Sequence, residues 1–344
     1  MDTDKLKLYE FILDLYSLSE LKDLCFYLNV VYDDLDGSAR KDKARELVEY
    51  MARRRRLDDL RAVLGQQRPE QYGAAFPMPA VETFRRNVST PTRSTRRIHE
   101  KTGIELVYIP AGPFLYGSTD SDQMAHDDEK PQRTVDLSAY WIGRAPVTNV
   151  QFARFVKATR YRTAAERDGY SWGWPGNNWH RIKGANWRYP HGPGSSIEGK
   201  ADHPVLQINW NDARMFCDWA GLALPTEEQW EKTARGTDGR IWPWGNEPPT
   251  IEHCNFNNNI GDTTPIGQYS PKGDSPYGCV DMAGNVWEWV GAWYLEDSRP
   301  AWRGGAWNDN DQHTSTAYRY INQVHYRHSA VGFRVVELLS DPGS

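Results

Sequence analysis

The residues best suited to binding chemistry are concentrated near the C-terminus, between Arg303–Trp307 and Val331–Val336. The 23 residues between these segments include three Tyr, three His and three Asn, and no Lys, Glu, Gly, Pro, Leu, Met, Phe or Trp. Tyrosine beside small hydrogen-bonding side chains is typical of surfaces that recognise other molecules. Helical and alternating apolar periodicity are both missing, so a core-facing element is not predicted. We predict an exposed recognition face here, with an ordinary polar surface loop as the alternative.

The two flanks of this stretch are the elements that must position it. Both have the composition of strand ends, and each carries a large aromatic residue, Trp307 in the first and Phe333 in the second. Buried aromatic rings contribute strongly to core packing. We therefore predict that these two residues anchor the stretch to the core.

The composition of the whole chain limits the class of protein that carries this stretch. Its 344 residues are 39% hydrophobic and include 15 Trp, enough to build globular domains. The net charge of -5 gives no general attraction to nucleic acid or anionic lipid. The sequence shows neither a signal-peptide pattern nor a membrane-spanning apolar run, so we predict a cytoplasmic protein that binds neither nucleic acid nor membrane. The four cysteines form no CxxC pair, and we assign them no chemistry.

Residues 1–68 show helical periodicity and no cluster of catalytic residue types, which predicts a small helical bundle. One of its helices begins with a capping-box pair, Ser17 and Glu20. The segment resembles the small death-like, effector-associated domains of bacterial signalling proteins. The resemblance implies docking to a similar domain on a partner such as an NTPase or effector, with simple oligomerisation as the alternative. Residues 69–102 are rich in proline and polar residues and are predicted to be a linker.

Residues 103–340 mix short strand-like runs with helix starts. Leu106–Gly117 holds two apolar runs around a Pro/Gly turn, which predicts a hairpin, and Val135–Ile142 predicts one further strand. Thr148 and Thr226 each precede a helical pattern and are predicted to be helix caps. This mixture predicts a second domain that contains both helices and strands.

Six short motifs follow one another in order through this second domain. They are Ile109–Gly112, Pro146–Asn149, Leu224–Glu227, Gly284–Trp289, Arg303–Gly305 and Gly332–Arg334. With these motifs, the domain resembles the formylglycine-generating enzymes, also called sulfatase-modifying factors. The resemblance implies an α+β fold: a C-type lectin-like domain of the formylglycine-generating enzyme type, preceded by a small N-terminal all-α helical bundle.

In that family, the loop that leads into the Trp-Glu-Trp motif holds a calcium ion. The resemblance places the calcium ligands of this sequence at the Asp281 and Glu288 side chains and at the carbonyl groups of Gly284 and Val286. Hard oxygen donors on a rigid loop suit Ca²⁺, so a structural calcium site is predicted. The alternative is that Glu288 forms a cap or a salt bridge within the core.

The catalytic chemistry of the family is not expected in this chain. Family members that oxidise a sulfatase cysteine bind copper with two cysteines just after the Arg-Gly-Gly motif, at about the positions of Asp309 and Thr314. Neither residue is a cysteine, and Asp with Thr lacks the thiolates that bind copper(I). We therefore predict a protein that is not an enzyme and binds no copper. A family enzyme with altered chemistry is the alternative.

The flanks of the C-terminal stretch also resemble those of the variable proteins of diversity-generating retroelements. Their hypermutated segment lies between Arg-Gly-Gly-Ser-Trp and Ile-Gly-Phe-Arg. Mutation of adenines there yields residues such as Asn, Asp, Tyr, His, Ser, Thr, Ala and Ile, but not Lys, Glu, Met or Trp. The stretch obeys this restriction, although Gln312 and Gln323 do not come from a typical asparagine codon. The resemblance implies a variable region at residues 307–331 that binds varied ligands, mainly protein surfaces.

A variable surface must tolerate substitution without unfolding the protein. Exposed substitutions usually cost less than about 0.5 kcal/mol, whereas core truncations cost roughly 2–5 kcal/mol. We therefore expect the ligand-binding residues to be exposed on one face. They are predicted to be Asp309, Asn310, Gln312, His313, Thr314, Ser315, Thr316, Tyr318, Tyr320, Ile321, Asn322, His325, Tyr326, His328, Ser329 and Ala330.

Overall fold

The computed structural model describes residues 3–28, 35–53, 95–173, 180–291 and 300–339, with scattered positions between 30 and 76. The chain divides into two compact units, Met1–Thr90 and Pro91–Ser344. No described helix is both long and apolar enough to cross a membrane.

The first unit is the predicted helical bundle. Each helix turns an apolar face inward, and side chains such as Leu8, Leu24 and Leu47 are fully buried. The predicted capping box is present, because the backbone N–H of Ser17 donates to Glu20 Oε2 at 2.7 Å and the Glu20 N–H donates to Ser17 Oγ at 3.3 Å. The described helices are α1 (Thr3–Leu15), α2 (Leu18–Tyr27) and α3 (Arg40–Arg53).

The second unit combines short strands with four described helices. The helices are α4 (Asn149–Thr159), α5 (Ala164–Asp168), α6 (Trp210–Ala220) and α7 (Glu227–Arg235). The strands are β1 (Arg96–His99), β2 (Ile104–Ile109), β3 (Gly112–Tyr116), β4 (Arg133–Leu137), β5 (Tyr140–Gly143), β6 (Tyr170–Gly173), β7 (His180–Lys183), β8 (Trp287–Trp289), β9 (Ala301–Arg303), β10 (Arg319–Ile321), β11 (Val331–Phe333) and β12 (Val336–Leu338).

These strands form two four-stranded sheets and two hairpins. The first sheet has the order β1-β2-β5-β12, and the second has the order β10-β9-β8-β11. All neighbours are antiparallel except β8 and β11, which run parallel. The predicted recognition stretch leaves the second sheet at β9, returns to it through β10 and ends in β11. The second sheet therefore positions the stretch at both ends.

The hydrophobic core lies between the second sheet and helices α4 and α6. Phe333 of β11 contacts Phe216 of α6 and Phe152 of α4, with ring centroids 5.4 and 6.4 Å apart. Phe333 and Trp307 are both buried, at 0% and 7% exposure. The prediction that these two residues are buried anchors is confirmed.

The helix caps were predicted correctly, because they depend on neighbours in sequence. Thr148 caps α4 and Thr226 caps α7, each accepting from the N–H of the glutamine three residues later, and each glutamine returns the hydrogen bond. A capping box needs only local geometry. Both helices therefore begin where the sequence indicates.

The strand pairing differs from the prediction at three places. The two runs of Leu106–Gly117 form no hairpin: β2 pairs with β5, and β3 pairs with β4. Gly112, at φ 125°, turns the chain between them, a conformation that glycine adopts readily. Val135–Ile142 forms parts of two strands in different sheets. Arg96–His99, inside the predicted linker, is instead the edge strand β1, while residues 77–94 of that linker lie outside the described residues.

Candidate functional site

The first end of the recognition stretch is fixed by Arg303 on β9. Its guanidinium is fully buried and forms ion pairs with Glu227 (3.0 Å) and Glu231 (2.5 Å) of α7. Nη2 also donates to the carbonyl of Thr316 at 2.8 Å, within the stretch. The following Gly305 has φ 71°, and a Cβ there would lie 2.8 Å from the His313 carbonyl oxygen. The Arg-Gly-Gly motif therefore combines a buried charge with a turn too tight for a side chain.

The second end of the stretch is fixed by Arg334, which follows β11. Its Nε and Nη2 donate to the two oxygens of Glu288, at 2.5 and 2.6 Å, and both side chains are fully buried. Arg334 also donates to the carbonyls of Gly143 (3.2 Å) and Val280 (3.1 Å). Bidentate, charge-assisted bonds of this kind fix position as well as charge. The stretch is thus held between two buried ion pairs.

The structure divides the predicted ligand-binding residues into an exposed and a buried group. The exposed or half-buried residues, which we call the exposed group, are Asp309, Asn310, Gln312, His313, Tyr320, Ile321, His325 and Tyr326. The buried residues, which we call the framework group, are Thr314, Ser315, Thr316, Tyr318, Asn322, His328, Ser329 and Ala330. The expectation that all of them are exposed is therefore wrong for the framework group.

Internal hydrogen bonds explain why polar residues of the framework group are buried. Thr314 Oγ1 donates to the carbonyl of Asp311 at 2.6 Å and accepts from Trp242 Nε1 at 3.2 Å. The backbone N–H of Thr316 donates to the carbonyl of Ile241 at 2.8 Å. A polar group can be buried at little cost when it is hydrogen-bonded in this way. Composition alone does not reveal such partners, because they lie far away in sequence.

His328 shows the same principle for a titratable side chain. Its ring packs edge-to-face against Trp302 at 5.0 Å, and its Nδ1 accepts from the Ala330 N–H at 3.2 Å. Burial lowers the pKa of His328 to about 3, so the ring is neutral at physiological pH. His328 therefore packs within the buried framework group.

Aromatic rings form a layer over the second sheet, beneath and within the exposed group. Tyr320 lies nearly parallel to Trp302, with ring centroids 5.8 Å apart and an interplanar angle of 17°. His313 lies 4.7 Å from Tyr318 and 6.0 Å from Trp287. Tyr320 is 50% exposed, so one ring face is packed and the rest is open to a ligand. These contacts of Trp287 were not identified from the sequence.

Asp309 and His313 form a polar pair at the edge of this aromatic layer. His313 Nδ1 lies 2.8 Å from Asp309 Oδ1, and the other Asp309 oxygen accepts from the Ala306 N–H at 3.1 Å. Gln312 beside them donates to the carbonyl of Met124 at 2.7 Å. Sequence reasoning missed the loop around Met124, because its contact with Gln312 spans most of the domain.

A long segment rich in Gly, Trp and Tyr, residues 161–203, contacts the other end of the stretch. Arg327 Nη2 lies 2.6 Å from Asp168 Oδ2 and 3.1 Å from the carbonyl of Tyr170. Trp172 forms an isolated β-bridge with His328. The described part of the segment therefore buttresses the framework, and residues 174–179 lie outside the described residues.

The predicted calcium ligands fit a metal site only in part. Asp281 is half-buried, and its carboxylate accepts from the Gly267 N–H at 2.8 Å. Burial raises the pKa of Asp281 to about 6, so a cation beside it would favour its charged form. Both oxygens of Glu288, by contrast, are engaged by Arg334, and Trp230 Nε1 donates to Oε2 at 2.8 Å. Glu288 therefore forms a salt bridge within the core, which was the predicted alternative to calcium binding.

Calcium binding thus stays a prediction that rests on Asp281 and the carbonyls of Gly284 and Val286. A ligand at about 100 times its Kd adds roughly 2.7 kcal/mol of stability, so 1 mM calcium should raise the Tm of the second unit relative to a chelator. Asp281→Asn should remove most of that difference, because it removes the charged ligand. Identical melting of the unsubstituted protein in calcium and in chelator would contradict the site.

Comparison with known families agrees with this geometry. Residues 92–339 match the sulfatase-modifying factor enzyme 1-like domain, and residues 8–69 match effector-associated domain 7. The chain therefore belongs to the sulfatase-modifying factor enzyme 1-like family, with an effector-associated domain preceding the family domain. Both family resemblances inferred from the sequence motifs and helical pattern are confirmed.

The relatives include proteins named as formylglycine-generating enzymes and others named as inactive forms of that enzyme. The chain is 40% identical over 232 residues to the formylglycine-generating enzyme of Thermomonospora curvata, covering 59% of this chain and 76% of that one. It is 35% identical over 236 residues to the inactive C-alpha-formylglycine-generating enzyme 2 of Bos taurus, covering 60% and 77%. Family membership alone therefore does not assign a reaction.

A solved structure establishes the fold of the second unit. PvdO from Pseudomonas aeruginosa overlaps with a TM-score of 0.58 at 24% identity, over 71% of this chain and 98% of PvdO. The predicted α+β, C-type lectin-like fold with N-terminal helices is confirmed.

Proposed function

We propose that this protein is a non-enzymatic ligand-binding protein whose variable region, residues 307–331, is diversified by a retroelement and recognises varied protein ligands. The observation that carries the proposal is the division of this region into an exposed group and a buried framework group. Such a division lets surface residues change while the backbone that presents them stays fixed.

The chemistry of the exposed group suits protein recognition. Tyr320 and Tyr326 are 50% and 41% exposed, and Ile321 is 52% exposed. Tyrosine supplies a large contact area for little loss of conformational entropy, and neighbouring Asn and His residues adapt their hydrogen bonds. Aromatic residues at the centre of an interface often contribute most of the binding energy. We infer that this group forms the ligand contact.

The residues at the family's copper positions support a function without oxidation. Asp309 pairs with His313, and the Thr314 side chain is buried and hydrogen-bonded. The four cysteines of the chain all lie elsewhere in sequence and are buried. Burial raises the pKa of Cys25 to about 12 and that of Cys279 to about 11, which disfavours their thiolates. No thiolate pair is therefore offered to copper(I) after the Arg-Gly-Gly motif.

The direct test is a sulfatase-type cysteine peptide incubated with this protein, copper and oxygen. We expect the peptide mass to stay unchanged, while the Thermomonospora curvata relative, assayed in parallel as a control, should form the aldehyde. An aldehyde produced by the present protein would contradict the non-enzymatic proposal.

An enzyme with altered chemistry is the second candidate, and one contact favours it. The Asp309 carboxylate orients the His313 ring through Nδ1, at 2.8 Å, which leaves Nε2 available as a general base. The chemistry of such a base would need a substrate bound beside Tyr318 and Trp287. Retroelement diversification would replace Asp309 and His313 from copy to copy, so sequencing sibling copies distinguishes the two candidates. An invariant Asp309–His313 pair among otherwise diversified copies would favour the enzyme.

We further propose that the N-terminal unit couples ligand binding to a signalling partner, an NTPase or effector that carries a similar helical domain. The match to an effector-associated domain supports this role. The described part of the unit is a packed helical bundle, with side chains such as Leu8 and Leu47 fully buried. A cytoplasmic location, and the lack of nucleic-acid or membrane partners, belong to the same proposal.

A further inference from the structure

A cavity of about 500 Å³ lies at the C-terminal end of α4 in the second unit. Its apolar wall includes Ala153 and Val156 of α4 and the ring of Tyr161. One carboxylate, Glu166, is among its lining residues. Four basic side chains border the same cavity: Lys157, Arg160, Arg162 and Arg188. These residues lie outside the variable region at 307–331.

The charge at this cavity is positive although the chain as a whole is acidic. Arg188 Nη1 contacts Glu166 Oε1 at 2.5 Å, so these two charges offset each other. Within the described part of the chain, Lys157, Arg160 and Arg162 form no ion pair. Three solvent-exposed cations that form no ion pair with a described residue therefore border one open cavity, in a protein with a net charge of -5.

Complementarity to the helix dipole explains only part of this cluster. Lys157 and Arg160 lie at the C-terminal end of α4, where cations are favoured. Arg162 and Arg188 lie beyond that helix, and each is held in position by other contacts. Arg162 Nη2 donates to the carbonyl of Glu166 at 2.9 Å, and Arg188 lies over the Trp187 ring at 4.1 Å. These contacts place Arg162 and Arg188 at the border of the cavity.

The backbone at Arg160 directs the chain around the cavity. Arg160 is the C-cap of α4 and has φ 57°, in the left-handed region that non-glycine residues seldom adopt. This turn ends the helix and leads into Tyr161 and Arg162, which border the same space. The basic side chains are therefore placed by a defined turn and not by a flexible tail.

We infer that this cavity binds an organic phosphate of about nucleotide size. Guanidinium groups recognise phosphate through paired hydrogen bonds, and lysine adds a compact positive charge. Lys157, Arg160 and Arg162 would hold the phosphate, while Val156 and Tyr161 would contact the apolar part of the ligand. The volume falls within the range of about 300–1,000 Å³ that is usual for small-molecule sites. This inference does not depend on the proposed role of the variable region.

Calorimetric titration of the full chain tests this inference with AMP, adenosine and inorganic phosphate as probes. AMP is expected to bind, adenosine to show no binding because it lacks the anion, and inorganic phosphate to bind at least tenfold more weakly because it lacks the apolar part. The absence of AMP binding overturns the inference. Equal affinity for AMP and phosphate contradicts a ligand of nucleotide size.

Matched variants locate the binding. Arg160→Gly removes one cation and suits the left-handed backbone, so the fold should be kept. Arg160→Gly and Lys157→Glu should each raise the Kd for AMP at least tenfold. Lys272→Glu makes the same charge change as Lys157→Glu at a surface residue that pairs with Glu252, and it should leave the Kd unchanged. Unchanged binding in both cavity variants, or an equal loss in the Lys272 control, overturns the assignment.

Discussion

Arg334→Met is expected to destabilise the second unit by roughly 3–5 kcal/mol, because it leaves Glu288 as an unpaired carboxylate in the core. Both side chains have 0% exposure, and the carbonyls of Gly143 and Val280 would also lose a donor. Chemical unfolding followed by tryptophan fluorescence measures the loss. All 15 Trp lie after residue 90, so the signal reports the second unit alone.

The matched control is Arg97→Met, which breaks an ion pair at the surface. Arg97 contacts Glu337 at 2.5 Å, as close as the buried pair, but the two side chains are 42% and 32% exposed. Water screens such a pair, so its loss should cost less than about 1 kcal/mol. The Arg97 guanidinium also lies 4.4 Å from the Trp141 ring centroid, and loss of that exposed cation–π contact adds about 0.5–1 kcal/mol, so we expect a total loss below about 2 kcal/mol. An equal decrease in the free energy of unfolding in the two variants would show that burial of the Arg334–Glu288 pair does not increase its contribution to stability.

Local features of this fold were predictable from sequence because their partners are close in the chain. The capping boxes at Thr148 and Thr226 each need only the residue three positions later, and both are present. The Arg-Gly-Gly motif was recognisable because few residues can replace it: a side chain at Gly305 would collide with the His313 carbonyl. Motifs of this kind predicted the family and the fold.

Strand pairing was not predictable in the same way, because it depends on distant segments. Two apolar runs around a turn favour a hairpin, but β2 pairs with β5 and β12 completes its sheet from the far end of the chain. The pattern of each strand is compatible with either partner. Tertiary packing determines which partner each strand takes, so the sequence of Leu106–Gly117 alone does not predict the pairing.

For the candidate site, the exposure of half of the predicted residues was wrong. Thr316 and Tyr320 both fit the composition of a recognition surface, but Thr316 is buried and Tyr320 is 50% exposed. Hydrogen bonds to distant residues, such as the one from Thr316 Oγ1 to the Ile241 carbonyl at 3.0 Å, make burial of a threonine acceptable. Glu288 was ambiguous for a similar reason, since its arginine partner lies 46 residues away.

The division of the stretch into exposed and buried residues predicts that its positions differ strongly in their tolerance to mutation. A library randomised to Asn, Asp, Ser, Thr, Tyr and His at exposed positions should fold in most members, because each exposed change costs within about 0.5 kcal/mol. The positions are Asn310, Tyr320, Ile321, His325 and Tyr326. Their side chains are exposed, although Tyr320 packs one ring face on Trp302, so the free energy of unfolding should change little.

The matched library applies the same residue mixture to five positions of the framework group: Thr314, Thr316, Tyr318, His328 and Ala330. Here most changes remove a buried hydrogen bond, overpack the core or truncate the packed ring of Tyr318, at about 1–3 kcal/mol each. Five such losses exceed a typical stability of 5–15 kcal/mol in many members. Yeast display with protease selection should therefore retain most members of the exposed library and only a small minority of the framework library. Similar survival of both libraries would mean that burial does not separate variable from fixed positions, and the proposed ligand surface would lose its structural basis.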